Sequence, residues 1–266
     1  MGQPLRPSHL IKPKTGPEDP ELAETLREGL EQVSPDDVLA IARELAGRRQ
    51  YLAPLVERIA REVERGELRG WEELTRAVTA TARQAETLAQ QAARAQACAA
   101  LPLLLREEQP VEQRLDEFLA RCSDLDRRLA LELATGVLHL RAPARYWLWT
   151  RWLWDIEHGT GILPLLASST RALEGRSVGA QYRQLRPLVA MGTELGRNSG
   201  LVAHDLADDP ELGPFVTDAF LALAYSVYLY GITNWRLSRE FNRLLPPLPQ
   251  LARRLLGLGR ARAVRS

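Results

Sequence analysis

Ser34-Pro35-Asp36-Asp37-Val38-Leu39-Ala40-Ile41-Ala42-Arg43-Glu44-Leu45 is the stretch that decides the fold. Serine is a preferred N-cap, because its hydroxyl accepts from a backbone N–H that the first helical turn leaves unpaired. Proline at the next position loses nothing, since an N–H there would have no partner. The two aspartates complement the positive end of the helix dipole. Val38, Ile41, Ala42 and Leu45 then recur at intervals of three and four, the period of a helix with one buried face. This predicts a helix from Pro35 that stops near Gly47. Another is expected over Tyr51 to Arg65, on Leu52, Leu55, Val56, Ile59 and Val63.

The same period extends outward in both directions. Pro20 to Gln32 reads as a helix. An alanine- and glutamine-rich stretch covers Trp71 to Leu105, and an amphipathic one covers Val111 to Leu140. Further helices are expected over Ile162 to Leu173, over Val178 to Leu195 with an interruption at Pro187, and over Phe215 to Leu245, with a polar loop from Arg197 to Pro214. Nothing alternates at period two, and no Asn-Gly or Asp-Gly hairpin signal occurs. The fold class is therefore all-α, a multi-helix bundle. It divides into a disordered leader over 1–19 with four prolines, an acidic helical N-terminal half over 20–140, an aromatic-rich helical half over 141–247 and a basic tail over 248–266.

Charge separates the two halves. The 266 residues carry a formal net charge of only +1, with 45% hydrophobic and 26% charged residues, the composition of a globular protein. Residues 1–133 hold 24 acidic and 19 basic side chains, and residues 134–266 hold 10 and 16. Only Tyr51, Trp71 and Phe118 among the aromatics lie in the first half. The leader lacks the apolar core of a signal peptide, and two cysteines make no disulfide framework, which points to a cytoplasmic protein.

The aromatic half carries the functional candidates. Arg145 to Asp155 reads Arg-Tyr-Trp-Leu-Trp-Thr-Arg-Trp-Leu-Trp-Asp, with tryptophans at 147, 149, 152 and 154. Read as a helix from Pro143 to Gly159, it puts Trp147 with Trp154 on one face and Trp149 with Trp152 on the other. A helix loaded on both sides is sandwiched, and Arg151 sits in a gap. Downstream, Ala219 to Trp235 is an uncharged run of 17 residues, below the roughly 20 needed to span a bilayer. The core of a bundle is its expected place. Trp235 and the arginines that follow also suit an anionic membrane surface. The tail adds Arg253 and Arg254 without interleaved aromatics, which speaks against nucleic acid.

Catalytic signatures are sparse. No Gly-rich phosphate loop, Gly-x-Ser-x-Gly, His-Glu-x-x-His, Cys-x-x-Cys or Glu-x-x-His occurs. The segment His204-Asp205-Leu206-Ala207-Asp208-Asp209-Pro210-Glu211 resembles the aspartate-rich motif of all-α isoprenoid synthases over about eight residues. That resemblance implies Mg²⁺ held by Asp205, Asp208 and Asp209 against the diphosphate of a hydrophobic substrate. Those enzymes carry two opposed acidic motifs, and this sequence has one. The leading expectation is a non-catalytic binding or scaffolding protein that engages a protein partner, itself, an apolar particle or a membrane surface. Its contacts would be Trp147, Trp149, Trp152, Trp154, Arg151, Trp235, Arg253 and Arg254, with no cofactor specified.

Overall fold

A computed structural model describes residues 26–65, 71–78, 82–166, 176–236 and 246–258. The leader over 1–19 and the arginines at 260, 262 and 265 lie outside them, as do the side chains of Val63 and Trp235. The helices are α1 (Pro35–Glu64), α2 (Trp71–Val78), α3 (Ala82–Ala89), α4 (Gln91–Leu104), α5 (Val111–Arg121) and α6 (Arg127–Arg141). They continue with α7 (Ile162–Leu166), α8 (Val178–Asn198), α9 (His204–Asp208), α10 (Gly213–Arg236) and α11 (Leu248–Leu255). Among the described residues the only β feature is an isolated bridge between Asp155 and Thr160. The protein is all-α.

The cap at Ser34 forms as the sequence implies. Its hydroxyl accepts from the Asp37 N–H at 3.1 Å, and the Asp37 carboxylate accepts from the Ser34 N–H at 3.1 Å. Two otherwise unpaired donors are thus satisfied reciprocally. The helix does not stop at Gly47 but runs through Gly47 and Pro54 to Glu64. Its apolar stripe explains why. Val38, Ile41, Ala42, Leu52, Leu55, Val56 and Ile59 are all buried, and the second set continues the heptad register of the first. Arg48 and Arg49 occupy the stripe between them and turn inward.

Those two arginines close other helices. Arg48 Nη1 donates to the Leu256 carbonyl at 2.9 Å, just past α11, and burial pulls its pKa down to about 10. Arg49 donates to the Leu140 and Arg141 carbonyls at 3.2 and 3.4 Å, in the last turn of α6. Arg114 does the same for the Leu104 carbonyl of α4 at 2.9 Å, and Arg141 for Leu105 at 2.8 Å. The last carbonyls of a helix have no partner inside it, and here guanidinium groups on neighbouring helices provide one.

α10 is the hub, packed against α1, α7, α8, α9 and α11. Phe215 to Ala224 are all buried. Each such Val, Leu or Phe contributes about 1.5–3 kcal/mol over leaving it exposed. No helix among the described residues is long and apolar enough to cross a membrane. α11 lies against α1 and α10 with Ala252 fully buried, so the basic tail begins as a docked helix.

Four other expectations on helix extent are corrected. The stretch 71–105 is broken into α2, α3 and α4, the last two separated at Gln90, whose backbone is extended (φ −59°, ψ 141°). The stretch 111–140 splits because Asp126 caps a new helix, accepting from the Arg128 and Leu129 N–H groups at 3.0 Å each. Conversely, Pro187 does not interrupt α8. The tryptophan run from 146 to 155 is not helical at all.

Candidate functional site

α6 is buried from Leu129 to Leu140 on every side, yet it carries Glu132, Thr135 and His139. These lie at i, i+3 and i+7, on one face of the helix. Each engages the backbone of the tryptophan segment, which runs antiparallel beside it. Glu132 accepts from the Arg151 N–H at 3.3 Å, and the Thr135 hydroxyl accepts from the Trp149 N–H at 3.2 Å. His139 Nδ1 donates to the Tyr146 carbonyl at 2.8 Å. Backbone groups that a helix would pair internally are paired here by side chains of α6, so the segment can run without helix inside the protein up to the turn at 151–153.

The four indoles then pack against aromatic neighbours. Trp147 stacks on Tyr182 at 4.8 Å between ring centres; its Nε1 donates to the Tyr182 carbonyl, and the Tyr182 hydroxyl donates to the Trp147 carbonyl. Trp149 and Trp154 stack with centres 5.2 Å apart and planes within 3°, and Trp149 Nε1 donates to the Trp154 carbonyl at 3.0 Å. Trp152 meets Tyr225 of α10 at 6.2 Å. The helical pairing of Trp147 with Trp154 is therefore replaced by a Trp149–Trp154 pair. Trp149, Trp152 and Trp154 are buried and Trp147 is half-buried.

A tight turn closes the segment. Asp155 accepts from the Glu157 and His158 N–H groups on one carboxylate oxygen, and from Arg151 Nε at 2.8 Å and His158 Nδ1 at 3.0 Å on the other. Burial works against its charge, but the Arg151 and His158 contacts outweigh it and hold the carboxyl below its usual range. Gly161 has φ +130°, and a Cβ there would fall 2.5 Å from the Leu153 carbonyl oxygen, so only glycine fits the return of the chain.

Between this turn and the starts of α6 and α8 lies a cleft of about 300 Å³. Its apolar lining is Leu131, Trp149, Trp154, Ile156 and Val178. Arg127 and Arg128 come from the first turn of α6, Arg151 from the tryptophan segment and Arg176 from just before the Ser177 N-cap of α8. Glu132, Asp155 and Glu157 also line it. Arg128 pairs with Glu157 and Arg151 with Asp155. Arg127 and Arg176 have no carboxylate within 4.0 Å among the described residues. Glu132 is buried, which pushes its carboxyl pKa up against the opposing bonds from the Arg151 N–H and the Gln84 amide.

On the other side of Glu132 and Thr150 is a smaller cavity, about 70 Å³, with His139 and Asp218 in its wall. His139 Nε2 lies 2.8 Å from the Asp218 carboxylate, and both side chains are buried. Burial disfavours the imidazolium. The Asp218 carboxylate and the Tyr146 carbonyl prevail over it, and the His139 pKa is raised above its ordinary value. With both ring nitrogens donating, this histidine is a fastener between α6, α10 and the tryptophan segment.

Of the residues singled out in the sequence, Trp149, Trp154 and Arg151 meet in the cleft. Trp147 and Trp152 lie in the same segment but face Tyr182 and Tyr225. Arg253 is elsewhere, held by Glu44 of α1 at 2.8 Å, and Arg254 is exposed on α11. Asp208 pairs with Arg197, and Asp209 accepts from the Glu211 and Leu212 N–H groups at 2.7 and 2.8 Å. Among the described residues no three His, Cys, Asp or Glu side chains gather as a metal site. Arg127, Arg128, Arg176 and Glu132 are not among those sequence candidates, because they lie on two segments, α6 and the residues ahead of α8, that meet only in the fold. The one local signal was the Glu132, Thr135, His139 stripe in an otherwise apolar helix. Comparison of the chain with protein-family models, with curated proteins and with solved structures returned no match.

Proposed function

We propose that this protein is a non-catalytic binding module whose working surface is the cleft floored by Trp149 and Trp154. The observation that carries this reading is the pairing of a preformed apolar floor with a rim of fixed charge. Ligand sites are concave and mainly apolar, with a few placed polar groups, and about 300 Å³ is the lower end of their usual volume. Binding suits the lining better than proton transfer. Guanidinium groups stay charged and donate hydrogen bonds only. Each carboxylate in the lining is already engaged: Glu132 by Gln84 and the Arg151 N–H, Asp155 by Arg151 and His158, and Glu157 by Arg128. The aromatic enrichment of the second half thus serves a recess, with two of the four clustered tryptophans, Trp149 and Trp154, forming its floor.

The test is a titration with flat bicyclic probes, 2-naphthoate and 2-naphthamide, read by tryptophan emission and melting temperature. Ile156 is 39% exposed on the cleft wall, so Ile156→Glu alters the site without emptying the core. Saturable one-to-one binding of either probe, lost in Ile156→Glu at unchanged circular dichroism, supports the reading. Binding of neither probe, or binding indifferent to Ile156→Glu, overturns it.

A further inference from the structure

We propose that the cleft selects ligands carrying an oxyanion, a carboxylate or phosphate group attached to a flat apolar body, and that Arg127 and Arg176 recognise that group. This rests on the reading of the cleft as a binding site and adds the chemical class of its ligand. Four guanidinium groups line the cleft against three carboxylates. Two of the four, Arg128 and Arg151, are neutralised by Glu157 and Asp155. Arg127, in the first turn of α6, and Arg176, just ahead of α8, approach from different segments with no acid within 4.0 Å among the described residues, so their charge is left for an occupant.

The carboxylates do not cancel that excess. Glu132 sits in a buried position where its charge is disfavoured, and it is bonded on both oxygens. Beneath the rim the floor is mainly apolar, formed by the paired indoles with Leu131, Ile156 and Val178, while Thr150, Ser177 and Gln181 complete the lining. The Trp149 indole N–H is already spent on the Trp154 carbonyl. An occupant must therefore be apolar where it meets the floor and anionic where it meets the rim. Guanidinium forks match carboxylate and phosphate equally in geometry, since both offer two coplanar oxygens.

The experiment compares 2-naphthoate, 2-naphthyl phosphate and 2-naphthamide, which share one ring system, by titration calorimetry on the full chain and on an Arg127→Gln/Arg176→Gln variant. Both substitutions are at exposed positions, and circular dichroism checks the fold. One charge-assisted contact is worth about tenfold in affinity. The expected result is that at least one anion binds about tenfold or more tightly than the amide. The preference weakens as salt rises, and it collapses to the level of the amide in the variant. Stronger binding of the phosphate assigns a phosphate ester, and stronger binding of the carboxylate assigns a carboxylic acid. Equal binding of all three by the native chain overturns the anion inference and leaves the binding module standing. A preference that survives in the variant overturns the role of Arg127 and Arg176. Binding of none overturns the module itself, and this inference with it.

Discussion

Replacing Asp218 tests how the buried polar core is held together. In the native protein His139 donates from Nδ1 to a carbonyl, which can only accept, and from Nε2 to Asp218, each at 2.8 Å. Asp218→Ala removes one member of a buried pair, a change that costs about 3–5 kcal/mol. The lower end applies here, because the stranded imidazolium can shed its proton near neutrality. Asp218→Asn is gentler: its amide donates to a neutral imidazole, and one hydrogen bond of about 1 kcal/mol survives. The distinguishing readout is pH. The folded His139 pKa lies above its unfolded value of about 6.5. Its contribution is complete below that value and is lost as pH rises through the folded pKa. Above pH 6.5 the native protein therefore loses up to about 1.4 kcal/mol per pH unit relative to Asp218→Asn, until the folded histidine also deprotonates. Urea unfolding at half-unit steps from pH 6 to pH 9 measures both curves, and every other titrating group cancels in their difference. A gap constant across that range would refute the argument that His139 is held charged by Asp218.

Three other outcomes follow from the packing. Gly179→Ala puts a Cβ 2.0 Å from the Glu112 carbonyl oxygen, where backbone meets backbone between α5 and α8; a loss of about 1–3 kcal/mol is expected in thermal unfolding. Arg114 is buried and bridges the Leu104 carbonyl and the Tyr146 hydroxyl at 2.9 Å each. Arg114→Met should cost about 3 kcal/mol, read by urea midpoint, because both acceptors are left dry. Burial pushes the Cys98 and Cys122 thiols up to about 12 and about 11. Iodoacetamide at pH 8 should therefore leave both unmodified in the native protein and alkylate both in urea, as mass spectrometry will count.

The all-α class was legible because helical signals are local. Ser34, Pro35 and Asp37 lie within four residues, and the structure builds the cap from those groups alone. Gly47 misled for the opposite reason. A glycine inside a helix costs about 1 kcal/mol, which is small beside a stripe of seven buried apolar side chains that continues in register across it. The tryptophan segment failed most fully. Its helix-like spacing is real, but its backbone partners are Glu132, Thr135 and His139, which lie 7 to 19 positions away. Side-chain angles on an assumed helix placed Trp149 beside Trp152 and opposite Trp154, whereas the turn at 151–153 brings it onto Trp154. Arg151 was legible as a gap in the aromatic run, while the cleft that it rims required three segments to meet.

The clasp of Arg48 on Leu256 joins positions 208 residues apart. At about 5–20 residues per second, a ribosome that has just made Arg48 needs about 10–40 s more to deliver its acceptor. α10, the main neighbour of α1, also emerges late in synthesis. For that interval the apolar stripe of α1 has α2, α4 and α6 as its helical neighbours among the described residues. The nascent chain is therefore most exposed to chaperones and proteases through this early helix. Truncations that remove α11 should be felt there first, at the opposite end of the gene.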